Sequence, residues 1–140
     1  MTEYRYIIPV PPITKKNSGR IMTNRATGKP FIMPSEQFER YEEAAGYFLR
    51  PKPPKPIDYP VICRYTFFMP TMRAVDELNL DGALDDILRK YGILEDDNRN
   101  IVAGHDGSRV YYDKENPRAE IYIYPAEPDY TVWEPKRRKK

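Results

Sequence analysis

The chain opens on a period of two. In "EYRYIIP", residues 3–9, Tyr4, Tyr6 and Ile8 fall on one side, which predicts a strand. "PVPPITKKNSGR" holds too many prolines and polar residues to continue it and reads as a loop. "GRIM" and "PFIM" flank "TNRATGK", whose Thr-Gly pair signals a turn, so residues 20–33 predict a hairpin with Arg25 and Lys29 at its tip. The period then lengthens. Ser35 suits the N-cap of a helix running to about Leu49, with Phe38, Tyr41, Ala45, Phe48 and Leu49 on one stripe. "PKPPKPIDYP" stops that helix and acts as a stiff spacer. "VICRYTFFM", residues 61–69, is β-branched and aromatic and predicts a core strand. A second helix follows from Asn79 as N-cap, with Leu80, Ala83, Leu84, Ile87, Leu88 and Tyr91 at helical spacing and Gly92 as its stop. "NIVAG", "SRVYY" and "RAEIYIY" read as strands, the last alternating Ala119, Ile121 and Ile123 with Glu120, Tyr122 and Tyr124. This order predicts a single-domain α/β (α+β) layer sandwich: a mixed sheet with two main helices over residues 1–128, then a basic tail at 129–140.

Composition narrows the class. A length of 140 residues suits one hydrophobic core, and 12 tyrosines favour a folded chain, while 15 prolines assign much of it to loops. A lone cysteine, Cys63, forms no internal disulfide, so a reducing compartment is expected. No apolar run reaches membrane-spanning length and the first residues lack a signal-peptide pattern, so a soluble, cytoplasmic protein with no membrane partner is expected.

Net charge is only +2, but it is segregated. Residues 4–35 contain no acid and carry Lys15, Lys16, Arg20, Arg25 and Lys29, and the chain closes on "KRRKK". Such a distribution suits a surface that meets a polyanion and a separate one that holds a cation. The tail is equally consistent with a solubilising terminus.

The acids concentrate in "VDELNLDGALDD" (Asp76, Glu77, Asp81, Asp85, Asp86) and in "LEDDNRN". On the second helix, Asp81 and Asp85 are expected on one exposed stripe with Arg89, and Asp86 opposite Lys90. For Asp85 and Asp86 a solvated, salt-bridged face is a sufficient account. Asp76, Asp96 and Asp97 lie beyond the helix ends. The helix spans about 20 Å at ~1.5 Å per residue, and residues 93–97 extend about 17 Å at ~3.3 Å per residue. Asp97 is therefore able to return towards Asp76 and Asp81. Carboxylates gathered there would repel unless they shared a divalent cation, and oxygen ligands alone favour Mg²⁺ or Mn²⁺. A calcium loop from Asp96 fails, because Ile101 and Gly107 stand where it needs glycine and glutamate. His105 has no neighbouring serine or cysteine in a hydrolase pattern, and is expected to be a loop residue with local hydrogen bonds. "AGHDG" lacks phosphate-loop spacing.

Taken together, these segments resemble the RusA-type Holliday-junction resolvases, particularly phage and prophage members. "PVPPITKKN", "KPFIMPSEQFERYEEAA", "VDELNLDGALDDILRKYGILEDDNRNIV" and "NPRAEIYIY" carry the resemblance, in family order and over most of the chain. It implies a homodimeric, Mg²⁺-dependent endonuclease that nicks four-way (branched) DNA junctions symmetrically. By the resemblance, Asp76 matches the first acid of the Asp-x-Asp-Asn-Leu box and Asn79 its asparagine. Asp96 and Asp97 match the Asp-Asp pair, and these acids hold the metal. Lys15, Lys16, Asn17, Arg20, Arg25, Lys29 and Asn79 are the expected DNA contacts.

Two positions depart from the pattern. Leu78 stands where the box has its second acid, and Gly82 where many members have a lysine. Asp81 or Glu77 is left to complete the catalytic set with Asp76 and Asp97, and Asp81, in the first helical turn, is favoured. The alternatives are a branched-DNA-binding homodimer of the same fold with impaired catalysis, and a structural or regulatory dimer whose acids are solvated surface.

Overall fold

A computed structural model of the chain describes residues 2–14, 20–33 and 36–126. It contains β1 (Tyr4–Ile8), β2 (Arg20–Thr23), β3 (Pro30–Met33), α1 (Glu36–Phe48), β4 (Val61–Met69), α2 (Glu77–Lys90), β5 (Val102–Gly104), β6 (Arg109–Tyr112) and β7 (Arg118–Pro125). The mixed α+β architecture and every predicted strand and helix are present.

The main sheet runs β1-β7-β4-β5, and β6 also pairs with β4. β7 is antiparallel to both β1 and β4, and the remaining edge of β4 is shared. β5 lies parallel to its beginning at Val61 and Ile62, and β6 parallel to its end from Thr66 to Met69. Between them, loop 105–108 bridges a gap in the ladder. The N–H of Tyr65 would lose its partner there, and the Ser108 hydroxyl accepts from it at 2.9 Å. The loop closes as a turn, with Ser108 N–H donating to the His105 carbonyl at 3.0 Å and Gly107 at φ +82 in the left-handed region that glycine adopts without cost. β2 and β3 form the separate hairpin that the turn signal predicts.

Side-chain alternation decides which face of the sheet is covered. Tyr6, Ile8, Cys63, Tyr65, Phe67, Ala119, Ile121 and Ile123 point inwards, where they meet Phe38, Tyr41, Ala45 and Leu49 from the first helical segment and Leu80, Leu84, Ile87 and Leu88 from α2. Phe48, expected on the buried stripe, is 41% exposed at the last position of α1. The opposite face carries alternate residues such as Arg5, Arg64, Phe68 and Tyr122 and no described helix covers it. Among the described residues no helix is long and apolar enough to cross a membrane.

α2 starts earlier than expected. Asp76 is its N-cap, with Oδ1 accepting from the Leu78 N–H at 3.0 Å, and Asn79 sits within the first turn, its N–H donating to the Asp76 carbonyl at 3.1 Å. Leu78, the apolar residue of the extra turn, is exposed and off the buried stripe, so the buried period begins only at Leu80. Gly92, at φ +77, ends the helix as predicted. At the other end of α2, Lys90 reaches across to Glu42 of α1.

Two mid-helix glycines differ in cost. Beyond its own helical backbone, no atom lies within 4 Å of where a Gly82 Cβ would sit, whereas a Gly46 Cβ would fall 2.6 Å from the ring of Tyr91. Gly82→Ala is expected to raise unfolding free energy by about 1 kcal/mol through helix propensity, and Gly46→Ala to lower it. Urea denaturation of both variants checks this.

Candidate active site

Capping at Asp76 sets Glu77 in the first turn, and Glu77, Asp81 and Asp85 then repeat every four residues along one stripe of α2. The stripe borders the buried face. Asp81 is 2% exposed and Asp85 is 7% exposed, so the solvated stripe expected of Asp81 and Asp85 with Arg89 is not what forms. The hydrophobic run Leu80, Leu84, Leu88 draws α2 down onto β4 and carries both acids under with it.

Asp85 is buried with partners. Its Oδ1 accepts from the Tyr65 hydroxyl at 2.5 Å, and both its oxygens lie against His105 Nε2, at 3.0 and 2.9 Å. His105 is thus no locally bonded loop residue. It comes from the loop that fills the ladder gap beside Tyr65, and the two rings lie 5.5 Å apart. The Asp85 hydrogen bond holds the imidazole above its ordinary pKa, reinforced by the charges of Asp85, Asp81 and Glu77 and opposed by burial. Burial first, with the neighbouring Cys63 and Asp85 adding to it, lifts the Tyr65 phenol well above its usual range. Cys63 below it is raised to about 12, chiefly by burial.

Asp81 is buried without a full set of partners. Its Oδ1 has no hydrogen-bond donor among the described residues. Burial first, and hydrogen bonding with Glu77 one turn earlier, raise its pKa to about 7, with the charge of His105 opposing. Near neutral pH the Asp81 carboxyl is partly protonated, and a bound cation would compete with that proton.

The groups acting on Asp81 are Glu77, His105 and Asp85, and neither Asp76 nor Asp97 is among them. Asp76 is an exposed cap, and Asp97 is exposed in the loop after α2, its N–H bound to the half-buried Asp96 side chain at 2.7 Å. Among the described residues no three His, Cys, Asp or Glu side chains are grouped to hold a metal. Arg25 and Lys29 are exposed on the β2–β3 turn, and Arg20 begins β2. Lys15, Lys16, Asn17 and the tail at 129–140 fall outside the described residues.

Sequence reading missed the Tyr65–Asp85–His105 chain. Each link joins residues 20 positions apart in sequence, and Asp85 occupies a helical spacing indistinguishable from that of a surface acid. The available signal was the four-residue repeat of Glu77, Asp81 and Asp85 beside an apolar stripe. No protein-family model matches the chain, and no curated protein is significantly similar to it.

The Asp81 carboxyl, raised from 3.8 to about 7, binds its proton more tightly folded than unfolded. Its contribution therefore makes the metal-free protein less stable as pH rises from about 4 to about 7. His105, also raised, adds stability that is present below its unfolded pKa and lost as pH climbs through the folded one. Thermal melts without divalent cations should show Asp81→Asn losing the acidic part of this decline and keeping the part above about pH 6.5 that belongs to His105.

Proposed function

We propose that the protein is a metal-dependent, structure-selective endodeoxyribonuclease that acts on four-way DNA junctions as a homodimer. The observation that carries this reading is Asp81: a buried carboxylate with an unpartnered oxygen, next to Glu77, at the segment where the resemblance asks for a substitute acid. A buried acceptor left unpaired costs about 1–3 kcal/mol, and a binding role accounts for its retention. Mg²⁺ is commonly held by one or two carboxylates, with water and substrate phosphates completing the shell. Asp81 and Glu77 fit that donor set. A bound cation would stabilise charge on the phosphoryl oxygens.

The chain's own residues supply the remainder of the reading. Arg25 and Lys29 on the hairpin turn, with Lys15, Lys16, Asn17 and Arg20 before it, provide phosphate contacts whose affinity falls with salt. Asp76, Asn79, Asp96 and Asp97 belong to the proposed site on the resemblance, flanking the two ends of α2. The sheet face that no helix among the described residues covers, with Ile7 and Tyr111 about half exposed, supports a second copy as partner.

A second reading, a junction-binding homodimer with impaired catalysis, is favoured by the departures. Leu78 is 74% exposed and Gly82 opens to solvent, so nothing fills either position in place. A synthetic four-way junction separates the two. The endonuclease reading expects paired nicks only with Mg²⁺ or Mn²⁺. Asp81→Asn and Asp97→Asn should slow cutting by more than the ~10–100-fold that loss of an outer-sphere partner costs, with binding retained. Asp76→Asn should do the same without loss of fold, since asparagine caps a helix as well as aspartate. The exposed pair Leu78→Asp and Gly82→Lys should raise the rate. Salt-sensitive binding without cutting by the native protein establishes the second reading, and absence of binding overturns both.

A further inference from the structure

His105 is held on several sides at once. Nε2 faces both oxygens of Asp85, which accept, so this nitrogen carries a proton and Nδ1 lies outside that bond. Asp85 is itself fixed by the hydroxyl of Tyr65, whose ring is completely buried. The backbone of His105 is fixed by the turn to Ser108, and Ser108 by the N–H of Tyr65. A ring so restrained presents its second nitrogen in a defined direction.

A purely structural ion pair is the competing account, and two features separate the cluster from it. A buried pair is stable when it is sealed and every lone pair is satisfied. Here the His105 side chain is 29% exposed, and Asp81 next along the stripe keeps an unpartnered oxygen.

We infer that His105 is a catalytic residue of the junction-cleaving reaction, its Asp85-anchored imidazolium donating the Nδ1 proton to the oxygen that leaves phosphorus. Asp85 and Tyr65 are positioning residues. The inference rests on the endonuclease reading above. In the step, a water oxygen forms a bond to phosphorus and the bond from phosphorus to the bridging sugar oxygen breaks. That bond's electron pair goes to the leaving oxygen, which takes the proton from Nδ1. The attacking water gives its proton to solvent, and solvent reprotonates the imidazole. Asp85, Asp81 and Glu77 from α2 and Tyr65 from β4 are the titratable groups that act on or pack against the ring, and Asp106 is its neighbour in the loop. The Asp85 carboxylate, with both oxygens against Nε2, favours the protonated form.

The test compares single-turnover cutting of a four-way junction with one carrying sulfur at the leaving bridging position, made in both the 3′ and 5′ versions, because a thiolate leaves without a proton. His105→Gln keeps a donor for Asp85 and is checked for fold by circular dichroism and for junction binding. The variant should cut the oxygen substrate at least about 100-fold more slowly and a sulfur substrate near the native rate. It should also lose the fall in rate that the native protein shows as pH rises past the histidine. Equal slowing on both substrates, or no slowing on oxygen, overturns the catalytic assignment and leaves the endonuclease reading intact. A native protein that cuts neither substrate overturns the endonuclease reading and the assignment with it. If His105→Gln fails to fold, His105→Ala with added imidazole replaces it: restored cutting of the oxygen substrate supports the assignment, and none overturns it.

Discussion

The carboxylate of Asp85 is the point where the architecture is joined. A charge taken out of water needs partners, and Asp85 finds them on two other elements: the hydroxyl of Tyr65 from β4 and the ring of His105 from loop 105–108. The apolar stripe of α2 seats the helix on the sheet and sets its rotation to within the width of that stripe. The hydrogen bonds to Asp85 fix it there. Once that rotation is set, Glu77 and Asp81 fall on the side facing the loop and Leu78 and Gly82 on the side facing solvent.

The gap in the edge of β4 makes this junction possible. Had β5 continued into β6 as one strand, the ladder would have satisfied Tyr65 N–H and left no loop to carry a histidine. The strand breaks after Gly104, and Ser108 takes over the orphaned hydrogen bond. The four residues of loop 105–108 are thereby placed against the middle of the sheet's central strand. Functional side chains recur at such places because the backbone there is rigidly supported while its sequence is released from strand geometry. Opposite, the acids of α2 include one that is fully partnered, Asp85, and one that is not, Asp81. A fold optimised only for stability would have paired or removed the second.

Strands and helices were legible because their signals are local. The two-residue alternation in "RAEIYIY", the β-branched run of β4 and the apolar stripe of α2 each report burial within a few neighbouring positions, and burial is what fixes them. Errors arose where the signal was weak or shared. Leu78, the apolar residue that the first turn of α2 places ahead of Leu80, points to solvent and off the buried stripe, so the start was set too late and the cap assigned to Asn79 instead of Asp76. Asp81 and Asp85 have the same spacing to their neighbours as surface acids in i,i+4 pairs, and only their angular distance from Leu84 and Leu88 distinguishes them. That difference amounts to a few tens of degrees around the helix, less than the width of the buried face it borders.

By itself the sequence determined the order and kind of the elements, the two sides of β1 and β7, the turn at Gly28, the stop at Gly92 and the segregation of basic from acidic segments. These depend on periodicity, backbone conformation and composition, which are properties of short stretches. The tertiary structure alone decided that Tyr65, Asp85 and His105 meet, that Asp81 is buried with an oxygen unpaired, and that Asp76 serves the helix as its cap. A hydrogen bond between residues 20 positions apart depends on which strand neighbours which and how a helix is rotated upon them. Chain-wide packing settles those choices, and no short segment records them.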